Sequence, residues 1–190
     1  MTFAILTLAI MTFLSAILVV GGVVGFNKLR KADIAAQEAI GGIDVQLTRR
    51  AELIPNLVET VKGYAGHEKD VLEEITRARA SVQQAAAGGD VPAKAAADAE
   101  LQGALVHLNA VAENYPDLKA NTNFLELQRQ LAATEDQISF ARQYYNDAVR
   151  QLNSLTETIP WMLLTGVAGV SKRNFYDAPK GQEQAPQVRF

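Results

Sequence analysis

Two histidines are the first place to look for chemistry in this 190-residue chain. Neither His67 nor His107 has a glutamate three residues before it, so the Glu-x-x-His spacing of di-metal helical bundles is absent. His107 falls between Leu105 and Leu108 and is expected to pack partly against a helix face; His67 follows Gly66 and is expected to be solvated or to cap a helix end. The chain has no cysteine, which excludes disulfides, thiolate metal sites, iron–sulfur clusters and cysteine nucleophiles. Gly41-Gly42 and Gly88-Gly89 lack the Lys-Ser/Thr that completes a phosphate loop, and no serine has a nucleophile-elbow setting. Carboxylates are mixed with Lys and Arg along helix faces, as a solvated surface requires. These residues point away from an enzyme, and no cofactor, metal or small-molecule substrate is expected. Lys and Arg total 18 against 21 acidic residues, a net charge of −3. That balance argues against general nucleic-acid binding, which needs a basic surplus on one face.

Polar residues on apolar stripes carry more information. Asp44, Arg49, Arg50, Asn56, Glu135, Arg142, Tyr145 and Asn146 interrupt or border such stripes. They are read as interhelical hydrogen-bonding groups that fix register between long helices. The alternative is a lateral interface, where Arg, Tyr and Asn recognise another copy or another protein. Simple exposed ion pairs would contribute only about 0–1 kcal/mol each.

The elements that hold these residues begin with an uncharged run over residues 1–27. As a helix, residues 3–26 reach about 36 Å, enough to cross a hydrocarbon core of about 30 Å. A cleaved secretory signal is the rival reading, but it wants a basic residue before a shorter apolar run. Here Lys28, Arg30 and Lys31 come after the run, so an anchor is expected. Positive charge marks the cytoplasmic flank, which places the N-terminus outside and residues 28–190 inside. The same cations attract anionic headgroups, each worth about 1 kcal/mol. Gly21 and Gly25 are a small-xxx-small pair through which two anchors could approach closely, although glycine is common in membrane helices for other reasons.

Beyond residue 27 the chain reads as helix throughout. Phe124, Leu127, Leu131, Thr134, Ile138, Ala141, Tyr145, Ala148, Leu152, Leu155 and Ile159 recur at alternating steps of three and four, the seam of a coiled-coil or bundle helix. Asn123 with Glu126 is expected to cap it, and Pro160 to end it. A first bundle helix is expected over 28–65, kinked at Pro55, and two shorter ones over 68–87 and 91–115. The outer helices would be about 55 Å long and the middle pair about 30 Å. The expected architecture is therefore all-α: an anchor over 1–27, an elongated antiparallel four-helix bundle over 28–159, an apolar and basic segment over 160–177, and a flexible tail over 178–190. Near the membrane the outer pair would leave Ile34, Ile40, Leu152 and Leu155 short of partners. Trp161 with Lys172 and Arg173 suits a lipid interface, or the segment closes the open end of the bundle.

Three segments carry a resemblance: DVQLTRRAELIPNLVETVKGYA over 44–65, ENYPDLKAN over 113–121 and ARQYYNDAV over 141–149. Their order and spacing resemble the LemA family from the anchor to Phe175. Departures occur at Ile159-Pro160, Leu152-Asn153 and Gly169-Val170, where the family tends to Phe-Pro, Tyr-Asn and Gly-Phe. The resemblance implies a bacterial membrane protein with an N-terminal helix, an antiparallel helical bundle and no established catalytic activity. A self-associating scaffold at the inner membrane is the expected function. An adaptor presenting its bundle to a membrane protease or signalling receptor, or a membrane-remodelling protein, are the alternatives.

Overall fold

A computed structural model describes residues 2–176 of the chain. The expected tail over 178–190 lies outside the described residues. All regular elements among the described residues are helical. They are α1 (Thr2–Ala65), α2 (Lys69–Gly88), α3 (Val91–Ala112), α4 (Pro116–Lys119), α5 (Thr122–Glu157), a 3₁₀ turn (Trp161–Leu164) and α6 (Thr165–Ala168).

The apolar run and the first bundle helix are one element. α1 runs unbroken through Gly41-Gly42 and Pro55, so the kink expected at Pro55 does not interrupt the helix. The proline removes one backbone donor, but Ile54, Leu57 and Val58 around it are all buried, and that burial keeps the segment helical. Asp90 caps α3 as its position before Pro92 suggests, accepting from the Ala93 amide at 2.9 Å. The cap of α5 is Asn121 rather than Asn123: its Oδ1 accepts from the amides of Asn123 and Phe124 at 2.9 and 3.0 Å. The reason is the single turn of α4, which lets α5 start at Thr122. Glu126 instead pairs with Arg129 and Gln130. After α5 the Ile159–Pro160 peptide is cis.

The chain forms two compact units. The first comprises Met1–Glu38 with Asn146–Arg173, so residues 28–38, expected within the bundle, group with the anchor. Thr2 to Gly21 is exposed throughout. Below it Leu29, Ala32 and Ala36 are buried, as are Val149, Leu152, Leu155, Ala168 and Val170. Leu152 and Leu155 were expected to lack partners, and their burial corrects that: the chain doubles back after Pro160, with Gly169 in the left-handed conformation (φ 62°) that makes the reversal. Ile34 stays exposed, and so does Ile159, because α5 stops at Glu157.

The second unit comprises, among the described residues, Ala39–Tyr145 with Asn174, Phe175 and Tyr176. Its core takes Ile43, Leu47, Ile54, Leu57 and Val61 from α1 and Leu72, Ile75 and Val82 from α2. Leu101, Leu105 and Leu108 enter it from α3, and Phe124, Leu127, Leu131, Ile138 and Tyr145 from α5. The three-and-four seam is thus buried along this part of α5, with Ala141 half-buried. Polar contacts give the directions. Glu74 meets His107 and Glu68 meets Tyr115, so α2 and α3 run antiparallel. Arg50 meets Glu135 and Tyr64 meets Asn121, so α1 and α5 do as well.

Candidate functional site

The buried polar side chains of the second unit converge on Asp98. Arg50 follows Leu47 by three residues and precedes Ile54 by four, so the helical period turns it inward with them. Asp98 precedes Leu101 by three residues and Leu105 by seven on α3, which puts it on their face. Glu135 and Arg142 flank Ile138 on α5 at three- and four-residue steps. Arg50 is 2% exposed and Asp98 1%. Nη1 of Arg50 donates to Asp98 Oδ1 at 3.2 Å and to Glu135 Oε2 at 2.7 Å, while Nη2 donates to Gln102. Arg142 donates to the other oxygen of Asp98 and lies 3.7 Å from Glu135. The Tyr176 hydroxyl donates to Asp98 at 3.0 Å, and the Arg142 guanidinium sits 5.4 Å from the Tyr176 ring centre.

Two arginines face two carboxylates, so the cluster is neutral as a whole, which is what allows charges into an apolar core. Burial pulls Arg142 toward deprotonation, but the Asp98 charge, the hydrogen bond to it and the Glu135 charge outweigh that and raise its pKa. Tyr176 is pushed far above an ordinary phenol, first by burial, then by the Asp98 carboxylate and the hydrogen bond to it. It therefore stays a donor. The Nε atoms of Arg50 and Arg142 are buried without a hydrogen-bond acceptor among the described residues, so packing rather than full satisfaction sets the guanidinium positions. The arrangement joins side chains of α1, α3, α5 and the C-terminal segment in one hydrogen-bonded ionic cluster.

The register residues named from sequence divide clearly. Arg50, Glu135 and Arg142 come together; Asp44 pairs with Lys94, and the Tyr145 hydroxyl donates to the Asn174 carbonyl at 2.8 Å. Asn146 is half-buried in the first unit. Arg49 and Asn56 are exposed and outside the cluster. His107 is exposed beside Glu74 instead of packed, because Leu105 and Leu108 turn inward on either side of it; His67 is exposed. Lys94, Asp98, Gln102 and Tyr176 were missed. Lys94 and Asp98 keep the inward spacing of α3 with Leu101 and Leu105, but the alanines around them blur the edge of that stripe.

The first unit gathers the residues expected at a lipid interface. Lys28 Nζ lies 4.8 Å from the Trp161 ring centre. Arg173 binds Asp33 at 2.8 Å, with Arg30 3.7 Å from the same carboxylate. Lys172 pairs with Glu157, and Lys31 is exposed. A Cβ on Gly25 would come within 2.9 Å of the Trp161 ring, whereas one on Gly21 would meet nothing. The notch at Gly25 is thus filled by the chain's own tryptophan and Leu164 rather than left for a second anchor, and Gly21 alone stays open.

The sequence model of the LemA family matches residues 39–190. Protein LemA of Metamycoplasma hominis is 28% identical over 129 residues, covering 67% of this chain and 58% of that protein. Magnetosome protein MamQ 2 of Paramagnetospirillum magneticum is 24% identical over 162 residues, covering 73% and 60%. Magnetosome protein MamQ of Magnetospirillum gryphiswaldense is 23% identical over 179 residues, covering 80% and 66%. The chain thus spans roughly three fifths of the length of the curated relatives it matches first. None of these names is an enzyme's.

Proposed function

This chain belongs to the LemA family, and from that premise we propose that it is a single-pass protein of the bacterial inner membrane whose non-enzymatic helical bundle self-associates as a scaffold. The observation that carries the reading is the uncharged helical run from Thr2 to Gly21, exposed along its whole length. A run of that length bare of partners calls for lipid as its solvent. The cations at Lys28, Arg30 and Lys31 orient the N-terminus outward and the bundle into the cytoplasm. The antiparallel order of the α1–α5 and α2–α3 contacts supports an antiparallel four-helix bundle. The ionic side chains inside it are spent on one another, which supports a structural role over a catalytic one.

Self-association rests on what remains outside. Phe140 and Tyr144, one turn apart on α5, are 69% and 65% exposed, and Val45 on α1 is 63% exposed. Aromatic side chains on a helix face are the usual anchors of a protein interface. Confinement to a membrane plane raises the concentration at which copies meet. Two of the relatives are named magnetosome proteins, a name that states no reaction and is compatible with a scaffold. Mass photometry of the full-length protein in native nanodiscs tests this directly. Masses above the 20.6 kDa monomer, reduced by Phe140→Ala with Tyr144→Ala, are expected. A monomer in lipid would replace the scaffold with the adaptor.

A further inference from the structure

We propose that residues 159–168 make a second membrane contact, a short apolar hairpin seated in the lipid boundary beside the base of the anchor. The proposal rests on the reading of the N-terminal run as a membrane span. It begins from the contact at Gly25. Trp161 and Leu164 fill the notch that this glycine leaves on α1, and Gly25 stands three residues before Lys28, the first charged residue of the chain. At about 1.5 Å per residue that is roughly 4.5 Å on the apolar side of the first cation. The hairpin is therefore held at the depth of the lipid boundary by the anchor itself.

Its outer face matches that position. Ile159 is 77% exposed, Leu163 73% and Val167 77%, while Ala168 and Val170 turn inward. No charged residue occurs between Glu157 and Lys172, and these two pair with each other across the neck where the segment leaves and rejoins the unit. Several backbone donors in and just after the segment are met from within: the Met162 amide donates to Thr158, Leu163 to Pro160 and Val170 to Thr165, at 2.9, 3.2 and 3.1 Å. Backbone satisfied internally is what a lipid boundary demands. Lys28 over the Trp161 ring adds a tryptophan–cation pair, with the amine free to reach headgroups along its stem. Charge at the neck and apolar side chains at the tip are the arrangement of an interfacial wedge.

The chain lacks cysteine, so single nitroxide labels report without background. Full-length protein carrying Leu163→Cys, Val167→Cys, Leu14→Cys or Asn56→Cys is reconstituted in phosphatidylcholine–phosphatidylglycerol vesicles. Collisions with oxygen and with a water-soluble nickel chelate are then measured. Labels at 163 and 167 are expected to follow the label at 14, open to oxygen and severalfold less open to nickel than the label at 56. Nickel access at 163 and 167 like that at 56, with position 14 still shielded, overturns the hairpin and leaves the span intact. Nickel access at position 14 overturns the span, and the hairpin with it. Shielding of 163 and 167 from both reagents means a protein surface covers them, which also overturns the proposal.

Discussion

Asp98 receives hydrogen bonds from Arg50, Arg142 and Tyr176, so its removal does more than delete one contact. Asp98→Ala leaves two buried guanidinium groups with Glu135 as their only anion among the described residues. We expect a loss of about 3–5 kcal/mol in unfolding free energy, the range for breaking a buried ionic group by removing one partner, read from denaturant unfolding of the full-length protein. Tyr176→Phe removes one donor and should cost about 1–3 kcal/mol. The phenol also sets a pH dependence. Its pKa in the folded chain lies above the ordinary value of 10.0, so above about pH 10 the unfolded chain releases a proton that the folded chain keeps, and stability falls as pH rises. The wild-type protein should therefore lose stability more steeply than Tyr176→Phe above pH 10, and the two should run parallel below it. Equal slopes throughout would show that the Tyr176 contact is absent in solution. At this scale the sequence was half legible. Arg50, Glu135 and Arg142 stand out because each interrupts a run of large apolar residues. Asp98 sits among alanines, which blur the edge of a stripe, and Tyr176 follows the last periodic element, where only folding in three dimensions could place it.

Among the elements, α5 was the most legible because its signal is one-dimensional. A three-and-four repeat states which side faces inward without reference to any other helix. Ile138→Ala and Leu131→Ala, both at buried positions, should each destabilise the full-length protein by about 2–5 kcal/mol; losses under about 1 kcal/mol at both would place that face on the outside. Helix ends were less legible. Asparagines at 121 and 123 are equally good caps by type, and the choice was made by the single turn of α4, which no periodicity announces. The proline in α1 reads as a kink because its local cost is visible in sequence, while the burial that offsets it, at Ile54 and Leu57, depends on the other helices.

At the scale of the whole molecule, the uncharged run and its basic flank lead to a directional prediction. A reporter active only in the cytoplasm, fused after Phe190, should be active, and a reporter that works only outside should be silent there. The reverse pattern would invert the orientation and leave the anchor in place. The neutral cluster has a further consequence, for descent. Arg50, Asp98, Glu135 and Arg142 come from three different helices, far apart in the chain. Losing any one of them passes through an ancestor with an unmatched charge in its core, and such residues are far from additive in their effects. Lineages that part with an arginine here should part with a carboxylate as well. Positions 50, 98, 135 and 142 are then inherited as one character, kept together or exchanged in pairs of opposite sign.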